Sequence, residues 1–202
     1  MIKIKDFLDS NHHKENRILP LSDSSSAMVI KQKHNYDNRG QFTRIYDLEL
    51  ISESISDFVN FPQISFSHNL EKGTLRGLHV QSFPSVEAKL VKVIQGSIID
   101  YLIDLNPLSK NYLKLQKIHL TEKDECILLV PSAHAHGILT LEPNTILSYA
   151  MNVKYDPSRD VSISMLHSSV NFDFPIKINQ ISSKDSTAMT LEECIKKYRF
   201  GN

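Results

Sequence analysis

The chain has no excess charge of either sign: 23 Lys and Arg stand against 23 Asp and Glu in 202 residues. A bulk role on nucleic acid or on a membrane surface therefore has no support, although a local basic pocket for a phosphorylated ligand is compatible with this balance. No apolar run approaches the roughly 20 residues that a membrane span needs. The opening stretch, residues 1–16, lacks the continuous apolar segment of a signal peptide. Cysteine is scarce, and Cys126 and Cys194 are too far apart for a metal or redox spacing. No internal repeat is visible. These absences make a cytoplasmic, thiol-reduced protein the expectation, with neither nucleic acid nor membrane as partner. A hydrophobic fraction of 41% and a charged fraction of 23% exclude wholesale disorder, collagen-like repeats and coiled coil. A chain of this length buries a core without disulfide or metal staples.

Residues 1–28 are polar, include the serines Ser22, Ser24, Ser25 and Ser26, and read as a loosely packed N-terminal arm. Residues 29–202 read as one domain. Turn signals recur there at short intervals (Asn38-Arg39-Gly40, Lys72-Gly73, Gln95-Gly96, Asn106-Pro107, Pro143-Asn144, Asp156-Pro157), separated by segments rich in Val, Ile, Leu and Tyr. That spacing predicts an all-β sandwich or barrel. In residues 97–105, Ile99, Tyr101, Ile103 and Leu105 share one face, and Asp100 and Asp104 share the other with Ile98 and Leu102. In residues 145–152, Leu147, Tyr149 and Met151 oppose Ile146, Ser148 and Ala150. Such mixed faces suit strands inside a double sheet or at a dimer contact. A capping box at Thr190-Leu191-Glu192-Glu193 predicts a short C-terminal helix with Cys194, Ile195 and Tyr198 as its apolar stripe. A second helix is expected after Asp47, on Leu48, Leu50, Ile51 and Ile55. Residues 27–31 read as an extended strand with no hairpin partner nearby.

Histidine carries most of the chemical signal. In residues 75–81, Arg76 and His79 fall on opposite faces of a strand unless a bulge intervenes, and Gly77 is where one would sit. Arg beside His at a barrel mouth suits anion binding with proton transfer, whereas a partly buried His with Arg76 in a surface ion pair is the plainer alternative. His134 and His136, two residues apart, point the same way on a strand. With a third His they would suit a divalent metal, but the next acid, Glu142, stands beyond a turn. Strand parity separates Lys89 from Lys92, so that one faces inward while the other is solvated. Tyr149 sits in an apolar strand and reads as either core or catalyst.

Taken in order, these segments resemble the dTDP-4-dehydrorhamnose 3,5-epimerase family over about residues 29–200. D-x-R-G-x-F stands at residues 37–42, L-R-G-L-H-x-Q at 75–81 and K-L-V-K-V at 89–93, followed by Gly96 and Asp104. P-x-x-x-A-H-G-I stands at 131–138, then Tyr149 and Tyr155-Asp156-Pro157. Phe174-Pro175 replaces the family's usual Trp-Pro, and Ser183-Lys184-Asp185 resembles its C-terminal turn. L-R-G-L-H-x-Q together with A-H-G at this separation is specific.

The resemblance implies a mainly β, cupin-type double-sheet barrel (jelly roll), a homodimer, and a nucleotide-diphosphate sugar as substrate. The implied reaction is epimerisation at C3, C5 or both of a 4-keto-6-deoxy or related sugar, in polysaccharide precursor synthesis, with no metal and no cofactor. His79 would remove the proton alpha to the ketone and Tyr149 would deliver one from the opposite face. Lys89 would sit near the keto oxygen, with Arg76, His136, Tyr155 and Asp160 on the substrate. Arg39, Phe42, Gln63 and Ser65 would contact the nucleotide, in part across a dimer interface formed by the strand at 27–31. Counting back from Pro175 puts His167 where the family has the carboxylate that orients the catalytic His. A neutral His167 would accept the Nδ1–H of His79 but bring no negative charge. Two rivals follow: a degenerate member that binds a nucleotide sugar without efficient turnover, and a metal-dependent cupin using His79, His134 and His136.

Overall fold

A computed structural model describes residues 1–12, 17–22, 27–47, 49, 51 and 60–200. The alternation of apolar and polar residues resolves into two facing sheets. The seven-stranded sheet runs Ile2–Lys3, Leu115–Thr121, Ser97–Asp104, His134–Thr140, Thr74–Gln81, Asp160–Ser162, with Gln180–Ile181 pairing parallel to Thr74–Gln81. The six-stranded sheet runs Ile18–Pro20, Met28–Lys31, Cys126–Val130, Lys89–Gln95, Thr145–Met151, Gln63–Asn69. A separate hairpin joins His34–Asp37 to Gly40–Thr43.

The central strands are apolar on both faces because each sheet is covered twice. Ile98, Leu102, Ile118 and Ile138 meet Val91, Val93, Leu128 and Leu147 of the other sheet between the two layers. On the outside of the larger sheet, Ile99, Tyr101 and Ile103 lie under Phe172, Leu191, Cys194 and Phe200. Leu90, Ile127, Leu129 and Ala150, outside the smaller sheet, pack with Ile51 and Phe61. This double burial is the cupin-type double-sheet architecture expected from the sequence, and it explains why Ser97–Asp104 is buried at every position. Asp100 and Asp104 consequently point into the space between the sheets, among residues that must then supply their hydrogen bonds.

The first residues depart from the reading as a loose arm. Ile2 and Lys3 pair parallel with Ile118 and His119, Ile4 is fully buried, and Ile18–Pro20 pairs antiparallel with Met28–Lys31. Met28–Lys31 also pairs with Cys126–Val130 of its own chain. The strand expected to seek a second subunit thus finds both neighbours at home, because the hydrophobic residues Val29 and Ile30 are buried within the chain. The helix expected after Asp47 lies mostly outside the described residues. At the other end the capping box forms: the Glu193 N–H donates to Thr190 Oγ1 at 3.2 Å and the Thr190 N–H to Glu193 Oε2 at 2.8 Å. The helix Leu191–Lys197 buries Leu191 and Cys194.

Candidate active site

A cavity of about 350 Å³ opens between the sheets. Its walls include Gln63, Ser65, Arg76, His79, Lys89, His136, Tyr149, Tyr155 and Asp160. Residues from both sheets, from the loop after Met151 (Tyr155) and from the helix Ser183–Ser186 (Lys184) are therefore brought to one place.

Gly77 makes this convergence possible. His79 pairs with His136, and Arg76 with Ile138, so three steps along one strand oppose two along the other. The extra residue is a bulge that turns both Arg76 and His79 into the cavity. Gly77 has φ +99°, and a Cβ there would lie 2.6 Å from the His136 carbonyl oxygen. Only glycine fits.

His79 Nε2 lies 2.7 Å from Asp185 Oδ1. A carboxylate only accepts, so Nε2 carries the proton and Nδ1 is the nitrogen left for a substrate. The partner is therefore Asp185, and the expected Nδ1–H bond to His167 does not form. His167 is exposed in a bend, its N–H donating to Ser164 Oγ at 3.0 Å, and it does not line the cavity. Counting along the chain failed because the carboxylate arrives from the helix Ser183–Ser186, more than a hundred residues from His79. Its Ser182 cap accepts the Asp185 N–H at 3.1 Å, and the Gly77 N–H donates to the second carboxylate oxygen at 3.1 Å. Burial alone would raise the Asp185 carboxyl, but the hydrogen bond and charge of His79, with the Gly77 N–H and Ser182, hold it below the ordinary carboxylate value.

Directly across the strand pair, His136 Nε2 meets Asp100 Oδ2 at 2.8 Å. His134 turns to a different carboxylate, with Nε2 3.7 Å from Asp104, and to the Ser132 carbonyl at 3.0 Å from Nδ1. Burial pushes the His134 imidazole down. Glu142 accepts from Ser97 Oγ at 2.6 Å, away from both histidines' partners. Among the described residues, no three His, Cys, Asp or Glu side chains are grouped to hold a metal. The three histidines of the metal-dependent rival, His79, His134 and His136, each face a separate carboxylate.

Lys89 Nζ is 3.0 Å from Glu87 and 3.4 Å from the His79 carbonyl oxygen, and Glu87 is braced by Gln81 Nε2 at 2.8 Å. Lys92, on the opposite face, is not solvated as expected. It is buried, donates to the Asp124 carbonyl at 2.7 Å, and is pushed down by that burial. At the mouth, Asp160 accepts from the Tyr155 hydroxyl at 2.9 Å and pairs with Lys184, while Gln63 Oε1 accepts the Tyr155 N–H at 3.0 Å. Tyr149 stands with its ring 6.0 Å from that of His136 at 72°. Burial pushes its phenol up, the Ser67 hydrogen bond works against this, Asp100 adds to the rise and Arg76 opposes it.

Arg39 and Phe42 lie outside the cavity walls, on the hairpin, where the Arg39 side chain is 85% exposed and paired with Asp37. Asp185, Lys184, Glu87 and Asp100 are cavity or supporting residues that sequence reasoning did not assign. The only sequence signal for the first two was the Ser183-Lys184-Asp185 turn, read as a turn and given no role.

Comparison with known proteins identifies the family. The sequence profile described as dTDP-4-dehydrorhamnose 3,5-epimerase matches residues 23–193. The dTDP-4-dehydrorhamnose 3,5-epimerase of Methanothermobacter thermautotrophicus is 30% identical over 170 residues, covering 83% of this chain and 90% of that protein. The crystal structure of the Bacillus anthracis enzyme of that name, with TDP and PPi bound, superposes with a TM-score of 0.78 at 30% identity, covering 84% of this chain and 97% of the other. That of dTDP-6-deoxy-D-glucose-3,5-epimerase from Legionella pneumophila, in complex with dTDP-4-keto-L-rhamnose, gives 0.82 at 26%, covering 92% and 98%. With the family profile matching residues 23–193 and the fold superposing over most of the chain, this chain belongs to the dTDP-4-dehydrorhamnose 3,5-epimerase family of isomerases.

Proposed function

We propose that the cavity epimerises a nucleoside-diphosphate-linked 4-keto-6-deoxy sugar, or a close relative, at C3, C5 or both, supplying precursors for polysaccharide synthesis. The observation that carries this reading is the placement of His79, backed by Asp185, and Tyr149 on different sheets facing one cavity. A proton alpha to a ketone is too weakly acidic for imidazole unless the enolate is stabilised as it forms. In this scheme His79 Nδ1 removes that proton, and Asp185 stabilises the imidazolium. Lys89 meets the charge developing on the keto oxygen. Tyr149 then delivers a proton to the other face of the carbon, inverting it.

Arg76 and Lys184 supply positive charge for the diphosphate, with His136, Tyr155 and Asp160 on the sugar side and Gln63 and Ser65 toward the nucleotide. Arg39 and Phe42 act in a homodimer, reaching a second copy's cavity from the exposed hairpin; the 70% exposure of Phe42 supports that assignment. The rival reading of a binder without turnover rested on His167 in place of a carboxylate. Asp185 beside His79 supplies a carboxylate and supports turnover instead.

The test is proton–deuterium exchange followed by NMR in D₂O on a panel of nucleotide 4-keto sugars. Exchange at C3 or C5 with inversion is expected for at least one member, and loss of both in His79→Ala. A panel in which no member exchanges would overturn the assignment.

A further inference from the structure

Two lysine–carboxylate pairs line the cavity, and they are held differently. Lys184, paired with Asp160, has a side chain 54% exposed. Lys89 is paired with Glu87 at 3.0 Å, and these two side chains are only 14% and 8% exposed. Glu87 is fixed from several directions. Its other carboxylate oxygen accepts from Gln81 Nε2 at 2.8 Å. Its backbone neighbours are clamped by Asn152, directly after the strand Thr145–Met151. Asn152 Oδ1 accepts the Ala88 N–H at 2.6 Å, and Nδ2 donates to the Val86 carbonyl at 3.0 Å. The Asn152 N–H donates to the Ala88 carbonyl at 3.3 Å. An ammonium on a four-carbon stem is the flexible member of such a pair. The glutamate therefore places the lysine.

An ammonium carries three N–H donors. Glu87 takes one, the His79 carbonyl oxygen takes a second at 3.4 Å, and a third is left for the cavity that Lys89 lines. We propose that Glu87 is a positioning residue that holds the Lys89 ammonium against the backbone of His79, so that its remaining N–H meets the keto oxygen. The proposal rests on the reading of the cavity as an epimerase site with Lys89 at that oxygen. In the step itself the C–H bond alpha to the ketone breaks and its proton passes to His79 Nδ1. The electron pair moves into the enolate, whose oxygen keeps the Lys89 hydrogen bond, and Lys89 keeps its proton. Such stabilisation depends on a donor in place before the charge forms. A carboxylate alone would repel that charge, so Glu87 acts only through the ammonium it holds.

The test is a double-mutant cycle read by proton–deuterium exchange in D₂O on the best nucleotide 4-keto sugar. Glu87→Gln keeps the shape and an acceptor for Gln81 but removes the charge. The expected result is a fall of about ten- to a hundredfold in the saturating exchange rate. The half-saturating concentration changes little, because the contact is made with charge that develops in the transition state. Lys89→Met lowers the rate at least as far. Adding Glu87→Gln to Lys89→Met costs nothing further, since the glutamate then has no ammonium to place. Glu87→Asp, which keeps the charge on a shorter stem, loses less than Glu87→Gln. A wild-type rate in Glu87→Gln, a like further loss in the double variant, or equal losses in the Asp and Gln variants would overturn the proposal. Lys89→Met separates the layers. If it exchanges at the wild-type rate, Lys89 is misassigned and this proposal falls while the epimerase reading stands. If it is slow and Glu87→Gln is not, the positioning role alone is wrong. No exchange by the wild type on any panel member would remove the epimerase reading and this proposal together.

Discussion

Two His–Asp pairs face each other across one strand pairing and are built to different ends. His79 and His136 are register partners on Thr74–Gln81 and His134–Thr140. The His79 ring is 36% exposed over a carboxylate 5% exposed, and the His136 ring is 7% exposed over one that is fully buried. Asp185 comes from a short helix at the chain's C-terminal side and has two backbone or cap contacts besides His79. Asp100 sits in the middle of the central strand, and its second oxygen has no hydrogen-bond partner among the described residues. A half-open pair can pass protons to a ligand. A sealed pair with an unsatisfied oxygen is costly to keep and holds a ring in place. The same two residue types thus form one half-open pair and one nearly buried pair at the same cavity wall.

The largest expected effect tests the open pair. Asp185→Asn lowers alpha-proton exchange by about 10²–10⁴-fold, by analogy with loss of the orienting carboxylate in serine proteases, whereas His167→Asp leaves it unchanged. Exchange rates on the best nucleotide 4-keto sugar decide this, and the reverse pattern would restore His167 as the partner. Next comes the bulge that turns both Arg76 and His79 into the cavity. Gly77→Ala forces a Cβ against the His136 carbonyl at a positive φ, and the resulting misplacement lowers exchange by about 10²-fold in a protein that circular dichroism still finds folded.

The sealed pair is tested by stability. Asp100→Ala leaves His136 without its carboxylate in a buried site and costs about 3 kcal/mol in urea denaturation, more than Asp185→Ala does. An equal or reversed order would collapse the distinction between the pairs. The smallest effect is on the acid limb of stability. Because the Asp185 carboxyl is held below its ordinary 3.8, its contribution is present in full above that value and is lost as pH falls through the lower native one. Asp185→Asn therefore flattens the stability profile in that acid window and leaves its neutral side parallel to wild type, as read by denaturation at stepped pH.

Strand parity made much of this legible beforehand. The alternation in residues 97–105 and 145–152 suited strands inside a double sheet or at a dimer contact, and Gly77 was already marked as the place for a bulge between Arg76 and His79. What parity does not convey is which distant segment closes on a side chain. Asp185 meets His79 only because Gln180–Ile181 runs parallel to Thr74–Gln81 and delivers the following helix to that strand. Counting within one segment led to His167 instead. Lys92 misled for a related reason: a lysine on an outer face looks solvated until the chain carrying Asp124 folds over it. The polar lead-in concealed Ile4, Leu19 and Leu21, each buried, because isolated apolar residues have no period to read.

The pairing of Ile2 and Lys3 with Ile118 and His119 bears on how the edge of the larger sheet is blunted. Sheet edges are templates on which foreign strands grow, and a very short terminal strand is one means of blunting them. Here the seven-stranded sheet ends in a strand of two residues whose chain turns at once into the helix Ile4–Ser10. An approaching chain meets a two-residue strand followed at once by a helix, which blunts the part of the Leu115–Thr121 edge at Ile118 and His119.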